Sequence, residues 1–273
     1  MIPLGVLWLA LGSLWPTLWP TPWPTLSPVA AAARSQAPGV SLVRVAAAAD
    51  LKFALDEVIA KFRQTHPGVR VEPSYGSSGT IHAQLRQRAP YDIYLSADIA
   101  YPEDLVSKGI GARRDLFGYA RGRLVLWVPK QSRLPVERDG LHALVGATRI
   151  AIANPRHAPY GRAAEAAMRH AGVWAAAERR LVLAENVAQA AQFVESGAAD
   201  AGIIAKSLVV ATPMRASGRY WDIPEAMHPP IEQGGVILPW ASSRDAAVRF
   251  QQFLTGTEGQ AILARFGFGP SSR

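Results

Sequence analysis

The chain has 273 residues, 49% hydrophobic and 18% charged, with 29 basic against 21 acidic side chains and a formal net charge of +8. Such a composition excludes disorder, collagen and coiled coil as descriptions of the whole chain. The sequence holds no cysteine, which removes thiol catalysis, disulfides, zinc fingers, iron–sulfur ligation and a lipoprotein anchor.

Residues 1–33 carry no Lys, Arg, Asp or Glu and hold four of the eight Trp, at Trp8, Trp15, Trp19 and Trp23. The apolar run Ile2–Leu14 spans 13 residues. That is short of the ~20 needed to cross a bilayer and suits the h-region of a secretory signal. A Pro-rich Leu-Trp-Pro-Thr echo follows, which cannot continue as helix. Ala30-Ala31-Ala32-Ala33 before Arg34 then reads as an A-x-A cleavage site. No basic n-region precedes the run, so the competing reading is an uncleaved N-terminal anchor. Residues 1–33 are expected to be a signal peptide and residues 34–273 the exported protein.

From there strands and helices alternate. Leu42–Ala47 reads as a strand, and Leu51, Ala54, Leu55, Val58, Ile59 and Phe62 recur at helical spacing up to the stop at His66-Pro67-Gly68. Val69–Pro73 is a second strand, Ile81–Arg88 a helix and Tyr91–Leu95 a third strand. Ser132–Gly146 is rich in loop formers and separates two sets of elements. Further strands are expected at Arg123–Val128, Arg149–Ala153, Leu181–Leu183, Ala201–Ile204 and Gly235–Leu238. Helices are expected at Arg162–Ala171, Val187–Ser196, Ala246–Leu254 and Glu258–Arg265. Short apolar strands alternating with helices indicate an α/β fold with parallel or mixed sheets. Phe53, Phe62, Trp127, Trp174, Phe193 and Phe250 lie in apolar periodic contexts and are expected in the core.

In open α/β sheets ligands bind beyond the carboxyl ends of the strands, where following helices present their N-termini. Four strand-to-helix turns here are rich in small or hydroxyl residues. They are Ala48-Ala49-Asp50, Gly76-Ser77-Ser78-Gly79-Thr80, Asn154-Pro155 through Tyr160-Gly161, and Ala184-Glu185-Asn186-Val187. Each alone reads better as a plain helix cap, with Ser78 or Thr80 as the cap residue. Together they describe a cradle of neutral dipoles suited to an anion.

Six segments, in order, carry a family resemblance. They are AAADLKFAL from Ala47, YGSSGT from Tyr75, PYDIYLSAD from Pro90, GRLVLWVP from Gly122, IANPRHAPYG from Ile152 and AENV from Ala184. The chain resembles the periplasmic molybdate-binding proteins of bacterial ABC transporters over about Val43–Phe268. The resemblance implies a type II periplasmic binding fold: two α/β lobes, each a mixed sheet flanked by helices, joined by a hinge and closing on a tetrahedral oxyanion. Lobe 1 is expected over residues 34–121 plus 233–273, and lobe 2 over 122–232. It further implies molybdate or tungstate as ligand, no cofactor, an inner-membrane ABC permease as partner, a periplasmic location and a monomer. Carried over residue by residue, Ser78 matches a hydroxyl ligand, and Tyr160 and Val187 match contributors from the second lobe. Ala49 and Asp50 fall where relatives place small polar residues.

Two departures stand out. Ala49 has no hydroxyl, and Asp50 puts a carboxylate where a dianion sits. Two like unit charges ~4 Å apart cost about 4 kcal/mol at an effective dielectric near 20. Asp50 is therefore expected to cap its own helix while its N–H faces the ligand; staying protonated, or a different ligand, are the alternatives. At Ala205 some relatives carry a Tyr that closes over the anion, and Tyr160 is expected to stand in for it.

Other chemistry is weaker. A sulfate-like oxyanion, or a cation-bearing solute pairing with Asp50, keeps the fold and changes the ligand. A secreted hydrolase using Ser78 has no G-x-S-x-G elbow, and His82 has no evident Asp partner. His157 reads as an exposed loop histidine. The six His lie at 66, 82, 142, 157, 170 and 228 with no ligand-pair spacing, so no metal site is expected. The basic residues, 24 Arg and 5 Lys, are dispersed, which argues for a solvated face and against nucleic acid.

Overall fold

The structure, a computed structural model, describes residues 40–210 and 214–272. The signal peptide expected over residues 1–33 lies outside the described residues. In chain order the first elements are β1 Ser41–Ala48, α1 Lys52–Thr65, β2 Val69–Gly76, α2 Ser78–Arg86, β3 Ile93–Ser96, α3 Ala100–Ser107 and β4 Leu116–Gly122. A second set follows: β5 Leu124–Pro129, α4 Val136–Asp139, β6 Ile150–Ala153, α5 Pro159–His170, α6 Trp174–Ala177, β7 Leu181–Ala184, α7 Val187–Glu195, β8 Ala201–Ala205, α8 Lys206–Val210, α9 Met214–Ser217 and β9 Gly218–Asp222. The chain then closes with β10 Ile231–Ile237, α10 Arg244–Thr255 and α11 Thr257–Arg265.

Among the described residues, ten strands form two five-stranded mixed sheets, in the orders β2-β1-β3-β10-β4 and β7-β6-β8-β5-β9. The two are built alike. In the first, β1 pairs parallel with β2 and β3, while β10 pairs antiparallel with β3 and β4. In the second, β6 pairs parallel with β7 and β8, while β5 pairs antiparallel with β8 and β9. The chain passes between sheets twice, from β4 to β5 and from β9 to β10. This is the two-lobed periplasmic binding fold.

The sequence pattern explains the layering. In β1 the alternation of side chains sends Val43, Val45 and Ala47 to one face and Ala46 to the other. The first face packs on α1, α10 and α11 through Leu51, Leu55, Val58, Phe62, Phe250 and Ile262. The second packs on α2 and α3 through Ile81, Leu85 and Leu105. Burial on both faces from Val45 onward is why β1 ends in the unbroken apolar run Val45–Ala48, after the exposed Arg44. Phe62, Trp127 and Phe250 are buried as expected, whereas Phe53, Trp174 and Phe193 are only partly buried against the second core.

Several elements were not marked by periodicity. β4 and β9 carry Gly, Arg and Tyr on half-exposed sites, which masks their alternation. β10 starts at Ile231, four residues before the expected Gly235, and so brings Gln233 into the sheet. α5 starts at Pro159 and not at Arg162. Proline is suited to a first helical position because the N–H it lacks would have no partner there.

Candidate functional site

The carboxyl ends of β1, β2, β3, β6 and β7 lead to one narrow cleft with a cavity volume of about 10 Å³. It is lined by Ala48, Ala49 and Asp50 after β1, and by Gly76, Ser77 and Ser78 between β2 and α2. Ala97 follows β3, Ala158, Pro159 and Tyr160 open α5, and Asn186 and Val187 open α7. The five residues singled out from the sequence, Ala49, Asp50, Ser78, Tyr160 and Val187, all lie on this wall. The space is smaller than the ~300–1,000 Å³ typical of sites for organic ligands.

Ser78 and Val187 are the first residues of α2 and α7, and Tyr160 is the second of α5. Their N–H groups have no acceptor within their own helices. Each helix also brings the positive end of its dipole to the same point. Asn186 fixes the start of α7, its side chain accepting from Gln189 N at 3.0 Å. The Ser78 hydroxyl oxygen accepts from Ala97 N at 3.0 Å, so its own proton is available to another acceptor. The Pro90–Asp98 segment frames this corner: Tyr94 donates to Ser78 O at 2.7 Å and Tyr119 to Ser96 O at 2.9 Å.

Asp50 corrects the capping expectation. The main-chain N–H groups of Asp50 and Leu51 pull its pKa down, but the side chain's hydrogen-bond donors lie on other elements. Its backbone carbonyl accepts from Ser207 Oγ at 2.7 Å. Its Oδ2 accepts from Tyr160 Oη at 3.0 Å and from Gln233 Nε2 at 2.5 Å. Its Oδ1 is buried with no partner. Only 1% of the residue is exposed, and burial pushes the carboxyl up to about 6 against the opposing pull of Gln233 and Tyr160. Asp92 shows the contrast: it is also buried, yet Arg44 N, Ser242 N and Ser242 Oγ serve both of its oxygens.

Tyr160 is corrected as well. Its hydroxyl is spent on Asp50 and does not close over the cleft. Burial, together with the Asp50 carboxylate, holds its phenol well above the usual range. Ala205 is fully buried in β8, paired with Leu124, and is not part of the cleft wall. Gln233 escaped sequence analysis; the missed signal was a polar residue at an inward position of β10. Gly122 makes room for this cluster, since a Cβ there would strike Tyr160 Oη and Gln233 Nε2.

The lobes touch across the cleft. His157 O accepts from Gly79 N at 2.9 Å and from Ser77 Oγ at 2.7 Å. Because Ser77 donates to that carbonyl, its oxygen accepts from His157 Nδ1 at 3.0 Å. His157 Nε2 lies 3.6 Å from Glu185, whose carboxylate also accepts from Thr80 Oγ1 at 2.9 Å. Arg162 pairs with Asp98 at 2.5 Å. His157 is thus a bridge between lobes, with a side chain 25% exposed, and not an open loop histidine. The cap of α2 is Ser77, and neither Ser78 nor Thr80. His82 has the Asp partner the sequence did not reveal, Asp104 at 2.8 Å.

The chain matches the family described as "Bacterial extracellular solute-binding protein" over residues 43–269. It is 32% identical over 228 residues to the molybdate-binding protein ModA of Azotobacter vinelandii, covering 83% of this chain and 89% of that one. The ModA of Rhodobacter capsulatus is 33% identical over 226 residues, covering 83% of this chain and 87% of that protein. The solved structure of the Azotobacter vinelandii periplasmic molybdate-binding protein superposes with a TM-score of 0.77 at 33% identity, covering 83% of this chain and 98% of that one.

Proposed function

The chain belongs to the bacterial extracellular solute-binding proteins, and from that premise we propose that it captures molybdate in the periplasm and hands it to an ABC permease without chemical change. The observation that carries this reading is the convergence of helix N-termini on a cleft sized for a small ion. Such a site holds a dianion by N–H dipoles and hydroxyls, with no cation on its wall to trap it. Ser78 supplies a hydroxyl and an N–H, and Tyr160, Val187, Ala49 and Asp50 supply main-chain N–H groups. Tungstate shares the charge and shape and is bound as well.

Capture is a closure of two lobes, residues 34–121 plus 233–273 against residues 122–232, about the crossings near Gly122 and between Asp222 and Ile231. The sheets change close to these bounds: Gly122 still ends β4, and β10 of the first sheet already begins at Ile231. The protein acts as a monomer after removal of residues 1–33. A cation-bearing solute is disfavoured, because α2, α5 and α7 all open on the cleft with the positive ends of their dipoles. Hydrolysis through Ser78 is disfavoured too, since the Ser78 hydroxyl meets Ala97 N and not His82, and no histidine lines the cleft among the described residues.

Thermal melting with molybdate, tungstate and sulfate tests the reading. At a thousandfold excess over Kd, binding adds ~4 kcal/mol, which for a chain of this size is roughly 8–16 °C. Large shifts with molybdate and tungstate and none with sulfate are expected. Equal shifts with sulfate, or none with any of the three, would refute the assignment.

A further inference from the structure

Asp50 is the feature that an anion site of neutral dipoles does not explain. Asp50 lies on the cleft wall and is 1% exposed. One oxygen is saturated by two donors, Tyr160 Oη and Gln233 Nε2. The other, Oδ1, is buried and has no partner among the described residues. The N–H groups of Asp50 and Leu51 oppose the upward shift of its pKa without completing a hydrogen bond to Oδ1.

The groups packed around it leave its charge uncompensated. Tyr160 faces it from α5 and Tyr119 from β4, and burial holds both phenols neutral. Gln233 of β10 and Ser207 of α8 carry no charge. On its own helix, Lys52 pairs with Asp56 at 3.2 Å and is about half exposed. At the rim of the cleft, His157 faces Glu185 and Arg162 faces Asp98. No cation touches Asp50 among the described residues.

A dianion entering this cleft meets a second negative charge in a medium that screens it poorly. A proton on Oδ1 removes the conflict and converts the free oxygen into a donor. The acid is then oriented: Oδ2 accepts from Tyr160 and Gln233, and Oδ1–H, which has no partner among the described residues, is left to be offered to the anion. We propose that Asp50 binds the anion as a neutral acid, donating a proton from Oδ1 to an anion oxygen, so that each anion captured brings one proton from solvent into the site. This inference rests on the anion site proposed above and adds that its affinity is coupled to pH. The carboxyl already titrates at about 6 in the empty cleft, so the proton is within reach near neutrality. An Asn at this position is the permanent mimic: its carbonyl takes the two donors, and its amide N–H replaces the acid proton.

Calorimetric titration of the purified protein with sodium molybdate, at pH 7.5 in HEPES and in Tris, reads the coupling directly, because the two buffers release protons with different heats. The native protein is expected to take up close to one proton per anion, with Kd rising about tenfold per pH unit from pH 7 to 8.5. Asp50→Asn is expected to take up none, to show a flat Kd over that range, and to bind more tightly than the native protein at pH 8.5. Native binding without proton uptake and with a flat Kd would overturn this inference and leave the proposed function standing. Uptake persisting in Asp50→Asn would overturn it too, by placing the proton elsewhere. Should that variant not fold, the native buffer comparison decides alone. A native protein that binds no molybdate between pH 6 and 8.5 would fail the proposed function, and this inference with it.

Discussion

At Ser78 one hydroxyl serves two partners, and the two can be separated by measurement. Its oxygen accepts from Ala97 N, and its proton is left for the anion. Ser78→Ala should weaken molybdate binding by ~1–3 kcal/mol, the worth of a hydrogen bond to a charged group. It should also lower the stability of the empty protein, because Ala97 N becomes a buried donor without a partner. Denaturant unfolding and equilibrium binding on the same variant check both; an unchanged Kd would remove Ser78 from the site.

Asp50 makes a pH prediction for the empty protein. Its carboxyl titrates at about 6 in the fold and at 3.8 in the reference state. The folded protein therefore holds this proton more tightly than the unfolded chain does. Stability from this group is full below pH ~4 and falls as pH rises through 6, by ~3 kcal/mol in all. Asp50→Asn cannot ionise, so its stability relative to the native protein should climb by that order between pH 4 and 7.5. Urea unfolding across this range is the check, and a gap that stays constant with pH would contradict it.

The helix starts are the working parts, and they yield predictions of a different kind. Val187 is the first residue of α7, and Asn186 before it has φ −148° and ψ 173°. That extended conformation is the one a following proline demands, and a first helical position tolerates proline. Val187→Pro should then delete one N–H from the cleft and leave α7 standing. The expected result is a loss of ~1–3 kcal/mol in molybdate affinity with little change in circular dichroism; retained affinity would exclude this N–H as a ligand. On α2, a Cβ at Gly79 would come 2.5 Å from His157 O. Gly79→Ala should force the lobes apart where they touch. Losing one or two contacts of ~1–3 kcal/mol makes anion release about 5- to 150-fold faster, a change stopped-flow fluorescence would read.

Which elements could be read from the chain follows from their burial. β1, β5, β6 and β8 are covered on both faces, and their apolar runs announced them. β4 and β9 are half-exposed, and their Arg, Tyr and Gly residues obey no simple period. The site divides along the same line. Small residues at strand-to-helix turns are a local signal that marks the four turns, and the family resemblance singles out Ala49, Asp50, Ser78, Tyr160 and Val187 within them. The bond from Gln233 to Asp50 spans 183 positions and the bond from Tyr160 spans 110. No local pattern encodes such a pairing, which is why the carboxylate was expected to cap its own helix.

On the scale of the whole molecule, two sheets of like order are joined at two crossings, and the cleft lies where the strand ends of both converge. Contacts from Ser77, Gly79, Thr80 and Asp98 to residues of the second lobe describe a cleft with its walls together. Closure of this kind shields a small ion from water, and dipoles then act at low dielectric where they are strongest.

Anomalous diffraction from crystals grown with sodium molybdate, collected at the molybdenum edge, tests the central claim most directly. One strong peak is expected within hydrogen-bonding reach of Ser78 Oγ and the N–H groups of Tyr160 and Val187, with Asp50 beside it. Crystals that diffract well and show no peak in that cleft, or a peak only at the surface, would contradict the account.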